Sequence, residues 1–418
     1  MRKLSLKKEV ALQLLRSHSF VFIAINILVA FLGFVRSFAF MKFFDFKELG
    51  IITLVSTAAA LIGFFQIGLI NGGYRIIALQ DKDLRIKTNN VVFSFFGVLL
   101  IALFLGSIVG YFLGWFSNVL ILIVVNVLGI GTLVNNWLTN TLIGGSEFKR
   151  LNIANAISAL ASLLCLLLAY YFGLFGALIS LVIQPLLFIL LVFTTDYKEL
   201  PTKFDFDLKH IKYILSFGFI PFVSGIFFML YQQIERWSVN LFLGPEALGK
   251  MYLVFLMTTL FLLIPTSINS LFFPRSVKLF SDGENVLLKK LINQYFLILI
   301  LYCIICIVLT VLIFPSLIKF VFPNHYLYIH LVFIVLPGLV CRCLCDPIGL
   351  LLNSMVQLKP ILYSDIISTV FYCLMIIILS VMNVFSLENI IICYVIYSIV
   401  KLIYLFVAFL AVKKQYQI

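Results

Sequence analysis

Charge is what this sequence has least of. Only 11% of its 418 residues are Asp, Glu, Lys or Arg, against about 25% in a typical soluble domain. Acids are the scarcer sign, 17 against 30 Lys and Arg, and there are four histidines. These shortages exclude a water-soluble globular fold, a disordered chain and a nucleic-acid-binding domain; no nucleic-acid partner is expected. Chemistry-bearing clusters are missing as well. None of His18, His210, His325 and His330 sits in a Ser/His/Asp or metal-ligand arrangement with a nearby partner, and no Gly-rich nucleotide loop is present, so neither a metal nor ATP is expected. Of the eight cysteines, Cys165, Cys303, Cys306, Cys373 and Cys393 lie inside apolar runs, and Cys341, Cys343 and Cys345 fan around one helix. None has the setting of a zinc or redox motif, so they read as small buried apolar side chains. No Ala-x-Ala-like site closes the first apolar run, and a cleavable signal peptide is not expected.

What is there is apolar. Hydrophobic residues make up 63% and aromatics 16%, with a mean hydropathy of +1.17. The runs are long and unbroken, not alternating over ten residues as in a lipid-embedded barrel. They predict an all-α polytopic membrane protein with helices of about 20 residues. Twelve spans are predicted, over 19–40, 50–72, 90–114, 118–143, 151–172, 174–195, 211–243, 247–273, 289–315, 327–352, 360–384 and 388–412. Twenty-two of the basic residues then fall on the side of the N-terminus, and only Lys42, Lys47, Lys250 and Lys319 on the other. The positive-inside rule puts both termini in the cytoplasm.

The chain repeats itself. The segment 196–210 separates six spans (1–195) from six (211–418). Arg36 corresponds to Arg236, Lys47-Glu-Leu-Gly50 to Glu246-Ala-Leu-Gly249, and Arg75 to Arg275. An even number of spans per half makes this a parallel repeat, which predicts two pseudo-symmetric six-helix lobes around a central cleft. Such lobes suit a rocking transporter, with the 196–210 linker as the cytoplasmic pivot.

Four segments carry a resemblance. Glu48-Leu-Gly50 opens the second span, and Gln66-Ile-Gly-Leu-Ile-Asn-Gly-Gly-Tyr-Arg75 closes it. Leu142-Ile-Gly-Gly-Ser-Glu-Phe-Lys-Arg-Leu-Asn152 joins the fourth and fifth spans, and Phe314-Pro-Ser-Leu-Ile-Lys-Phe-Val-Phe-Pro-Asn-His-Tyr326 leads into the tenth. Together they resemble the polysaccharide transporter family of the multidrug/oligosaccharidyl-lipid/polysaccharide exporter superfamily, above all its bacterial O-antigen and capsule repeat-unit flippases. The peptidoglycan lipid flippases are similar but usually have fourteen spans. The resemblance covers essentially the whole chain. It implies a multi-pass protein of the bacterial inner membrane that works by alternating access. Its cargo would be an undecaprenyl-pyrophosphate-linked oligosaccharide, moved from the cytoplasmic to the periplasmic leaflet. Other polysaccharide-assembly membrane proteins would be its partners. A multidrug exporter of the same superfamily is the alternative. A membrane glycan polymerase or acyltransferase fits less well, because the outer loops are short and the histidines are poorly placed.

The residues themselves suggest a site. Lys401, in the last span, lies near the bilayer midplane, where a lysine costs roughly 2.5–3.5 kcal/mol on insertion scales and should face a wet cavity or a counter-ion. Arg342 is similarly deep, and Asp346 follows it by one helical turn. Arg36 and Arg236 are repeat-related, and guanidinium groups bind phosphate bidentately. These four cations are the expected substrate-binding set. Asn26, Asn135, Asn136 and Asn140 offer amides for sugar hydroxyls, with Trp137 as a stacking face. Glu235 and Asp365 are candidates for coupling to a proton or a sodium ion. Pro221, Pro265 and Pro337 each free a backbone carbonyl within a span and are hinge candidates.

Overall fold

With no water in the bilayer core, a spanning backbone must satisfy its own hydrogen bonds, and helices do this within a single segment. The computed structural model describes residues 18–78, 82–114, 118–145, 147–195, 200–355 and 357–416, and among these it is built of α-helices with no strand. In chain order they are α1 (His18–Phe43), α2 (Phe46–Ile62), α3 (Leu69–Ala78), α4 (Lys82–Phe112), α5 (Val119–Gly144), α6 (Phe148–Leu164), α7 (Leu167–Phe193), α8 (Leu208–Leu243), α9 (Pro245–Lys250), α10 (Tyr252–Ser281), α11 (Asn285–Leu312), α12 (Phe314–Val321), α13 (Pro323–Tyr326), α14 (Ile329–Ser354), α15 (Leu358–Val381) and α16 (Leu387–Tyr416). Ten are long and apolar enough to cross a membrane, or eleven if the bent α8 counts as one span. The twelfth expected crossing corresponds to α6, which has 17 residues. It gives way after Leu164 to a short turn before α7, so the fifth predicted span does not extend to residue 172 as one helix.

Local chemistry sets several helix ends. Asp45 and Glu48 form a reciprocal capping box at the start of α2: the Glu48 N–H donates to Asp45 Oδ1 (2.8 Å) and the Asp45 N–H to Glu48 Oε2 (3.2 Å). Asn118 caps α5 by accepting from the N–H groups of Leu120 and Ile121. Gly173 interrupts α7 with φ 55°, a left-handed value glycine adopts without a Cβ clash.

The chain forms two compact units. One comprises the described residues of Met1–Phe44 with Leu54–Val223, the other Asp45–Thr53 with Ser224–Ile418. The expected lobes, 1–195 and 211–418, differ from these in two places. The start of α2 packs with the second unit, and the first part of α8 with the first. In the first unit α1 lies on α6, α6 and α5 on α7, and α3 on α4 and α5. Its core includes Ile76, Ile77, Val91, Val92, Trp137 and Ile214. In the second, α14 packs against α10, α11 and α16, and α15 against α16.

In the second unit the two copies of the repeated motif meet. A Cβ on Gly50 would strike the Pro245 carbonyl, and one on Gly249 would strike that of Phe46. Each glycine of the sequence repeat is therefore the point of closest backbone approach to the other copy. The same device recurs in the first unit, where Gly72 and Gly218 lie backbone to backbone. Gly50→Ala is expected to lower stability by about 3 kcal/mol, at the upper end for overpacking, because backbone rather than a side chain would have to yield. Thermal unfolding of the purified protein measures this, and an unchanged midpoint would contradict the packing described.

The linker between the repeats is anchored along much of its length. The Thr202 N–H donates to Asn90 Oδ1 (2.8 Å) and the Asp205 N–H to Ser94 Oγ (2.7 Å), both acceptors on α4. Lys87 pairs with Asp207 at 2.8 Å. Asp207 also accepts from the N–H groups of Lys209 and His210 at the start of α8. The Lys87 ammonium, followed by the backbone donors, holds the Asp207 carboxyl at about 2, so the pair is charged throughout the neutral range. The Thr88 hydroxyl donates to the Leu84 carbonyl (2.7 Å) and must accept from His210 Nε2 (3.0 Å), which assigns the ring proton. The described part of the expected pivot, 200–210, is thus tied to one helix of the first unit. Further on, α8 is bent at Pro221, which lacks the N–H needed to continue the ladder.

Candidate functional site

The second unit holds a cavity of about 520 Å³ whose wall carries four charges, Arg342, Asp346, Asp365 and Lys401, together with the amides Asn269 and Asn353. Its size is within the usual range for small-molecule sites. Three helices bring the charges together. Arg342 and Asp346 lie one turn apart on α14, with Nη1 and Oδ1 3.5 Å apart. Lys401 on α16 bonds through Nζ to Asp365 Oδ1 on α15. Both partners are buried, at 4% and 3% exposure. An apolar setting demands such pairing, since an isolated buried charge costs several kcal/mol. Gly225 and Gly349 leave room in the wall, and α10 contributes Thr266 and Asn269 just beyond Pro265. The Phe261 carbonyl, which Pro265 leaves without its helical donor, accepts from the Cys343 thiol, and the Pro265 carbonyl accepts from the Tyr295 hydroxyl at 2.9 Å.

A second, smaller cavity of about 180 Å³ lies in the same unit, lined by Tyr231, Gln232, Glu235, Arg236, Thr258 and Tyr394 among others. Glu235 is buried, and Arg236 lies over the Phe255 ring, 4.9 Å from its centroid. Two of these residues, Tyr231 and Tyr394, belong to a cluster that sequence reasoning did not find. Tyr231 stacks on Tyr397 at 4.4 Å, with Tyr394 at 5.8 Å from Tyr231 and Tyr372 at 6.0 Å from Tyr397. All four are buried. The spacing of Tyr394 and Tyr397, one turn apart on α16, was the available signal.

The other expected site residues lie elsewhere. Arg36, in the first unit, donates through Nη1 to Ser162 Oγ (2.6 Å) and Gln184 Oε1 (3.2 Å), and Ser162 in turn donates to the Ser180 carbonyl. The repeat-related arginines therefore occupy unlike settings, one in a hydroxyl and amide network and one over a phenyl ring. Trp137 is fully buried in the first unit's core, against the backbone of Gly73. Its rings are covered, which corrects the expectation of a sugar-stacking face. Asn135 accepts from Thr139 (3.3 Å), Asn136 is exposed, and Asn26 and Asn140 are half-buried. Asn126 joins α5 to α4 through Ser107 (2.8 Å), as amide glue between helices does. Of the hinge candidates, Pro221 marks a bend, whereas Pro265 and Pro337 lie within continuous helices.

Among the described residues the histidine side chains form no catalytic arrangement. His325 is buried against Phe46 and Phe322, and burial depresses it to about 4, so it is neutral near pH 7. His330 pairs with Glu388 at 3.1 Å on the surface. All eight cysteines are free thiols, and among the described residues no three metal-ligating side chains gather.

Comparison with known proteins agrees with this architecture. The chain resembles the structure of a multidrug resistance MATE family transporter of the MOP superfamily in an inward-facing conformation (TM-score 0.68, 13% identity, 96% of this chain and 98% of that one). It also resembles the lipid II flippase MurJ in an inward closed conformation (TM-score 0.66, 17% identity, 93% and 87%). A third likeness is to a MOP superfamily transporter from Pyrococcus furiosus, described as having a binding pocket of reverse polarity (TM-score 0.60, 14% identity, 97% and 98%). At these identities the likeness is one of fold. No protein of curated function matches the sequence at a significant level. Residues 82–291, half of the chain, match the family described as polysaccharide biosynthesis protein. A multi-pass helical chain with the fold of these transporters, and with that match running from α4 into α11, belongs to the polysaccharide biosynthesis protein family.

Proposed function

We propose that this protein is a flippase for undecaprenyl-pyrophosphate-linked oligosaccharide repeat units, of O-antigen or capsule type. It moves them from the cytoplasmic to the periplasmic leaflet of a bacterial inner membrane, with both termini in the cytoplasm. The observation that carries this reading is the larger cavity of the second unit. A guanidinium and an ammonium, each beside a carboxylate, line this space with two amides, and these donors are the kind a pyrophosphate and its neighbouring sugar require. The polysaccharide family match supports the class of cargo. In this reading Arg342 and Lys401 hold the pyrophosphate while Asn269 and Asn353 meet sugar hydroxyls. Arg36 acts as a structural residue. A proton or sodium ion returns the empty carrier, bound at Glu235 in the smaller cavity.

The test is to delete the gene, extract undecaprenyl-linked glycans and determine which leaflet holds them. Complete repeat units should accumulate facing the cytoplasm and clear when the gene is restored. A normal lipid pool together with new sensitivity to cationic dyes would overturn the proposal in favour of a multidrug exporter.

A further inference from the structure

We propose that Lys401 is shared between Asp365 and the anionic cargo, so that anion binding in the larger cavity is linked to protonation of Asp365. This rests on the flippase reading and adds to it a regulation of the same site. Lys401 and Asp365 are bonded to each other, and both belong to the cavity wall. A phosphate oxygen entering the cavity therefore competes with the Asp365 carboxylate for one ammonium, which has three donors and a single positive charge.

Charged and polar groups on the neighbouring helices surround this pair. From α14 come Arg342, Asp346 and Cys345, and Arg342 is already engaged with Asp346. From α16 come Lys401 and Tyr397, and α15 itself presents Tyr372. From α10 come the neutral Thr266 and Asn269. Without a proton, a carboxylate and a phosphate anion would flank one ammonium in a low-dielectric wall, where like charges repel strongly. With a proton, Asp365 becomes a neutral hydrogen-bond donor. Lys401 keeps its own protons and turns its hydrogen bond to the phosphate. The proton comes from water in the cavity as the anion enters and returns to water as the anion leaves. No bond other than the carboxyl O–H is made or broken.

The test is calorimetric titration of the purified full-length protein with citronellyl-pyrophosphoryl-N-acetylglucosamine. This short-chain pyrophosphate diester has no group that titrates near neutral pH. Titrations in buffers of different ionisation heat count the protons taken up. The wild-type protein should bind with net proton uptake, and its affinity should rise by up to tenfold for each unit the pH falls. Asp365→Asn should bind with an affinity independent of pH. If that variant fails to fold, the wild-type proton count still decides. Binding without proton uptake and with equal affinity across pH would overturn the linkage while leaving the flippase reading intact. Uptake that persists in a folded Asp365→Asn variant would also overturn it, by assigning the proton elsewhere. Failure of the wild type to bind the probe at any pH would instead overturn the reading on which the linkage rests.

Discussion

Replacing Lys401 with methionine is expected to destabilise the protein by about 3–5 kcal/mol and to abolish export. The first effect follows from burial: the substitution takes the ammonium from a carboxylate that is 3% exposed, and breaking a buried pair from one side leaves an uncompensated charge. The second follows from the cavity, which then keeps Arg342 as its one cation, already beside Asp346. The double variant Lys401→Met with Asp365→Asn separates the two effects. With both charges gone, most of the lost stability should return, because a buried ion pair and an uncharged isosteric pair are often close in energy. Export should stay lost. Thermal midpoints and surface polysaccharide in a deletion strain read the two quantities independently. Recovery of export along with stability would reduce Lys401 to a structural role.

Trp137→Ala is expected to cost about 3–5 kcal/mol, the usual penalty for emptying a large aromatic site in a core that cannot fully collapse. Trp137 is fully buried, and the Gly73 backbone lies against its six-membered ring. Trp137→Phe should cost much less and leave the exported glycan unchanged. The comparison to make is export per folded molecule across both variants. A fall in export per molecule for Trp137→Ala at undiminished stability would restore the sugar-stacking role that the burial argues against.

These two residues show where the sequence could be read and where it could not. Lys401 was legible because a lysine in mid-span is expensive wherever it sits, so a cavity or counter-ion had to exist. Which acid answered it was not legible, since Asp365 lies on another helix. The Arg342–Asp346 pair was legible in full, because a separation of four residues fixes both partners on one helix face. Trp137 was misread for the opposite reason. Near-by asparagines suggested a wet surface, but helix rotation decides which way each residue faces, and in a uniformly apolar span the hydrophobic pattern does not encode that rotation. The linker likewise read as a pivot between the two halves. Its anchors, Thr88, Asn90 and Ser94, lie more than one hundred residues earlier and carry no local sign of their partners. The repeat was legible as three spaced landmarks, and the structure supplies the reason for one of them, the close backbone approach at Gly50 and Gly249.

That approach bears on how the protein is made. Asp45–Thr53 belongs to the second compact unit, although it leaves the ribosome long before the rest of that unit. A nascent chain must carry this segment, its glycine groove unfilled, until Pro245 and Gly249 have been synthesised. The early helices can be inserted one by one, but the second unit cannot close around its first piece until translation is well into the second half. A gene divided at the linker would therefore yield two polypeptides, neither of which contains a complete unit. Assembly would then depend on the two fragments meeting in the bilayer.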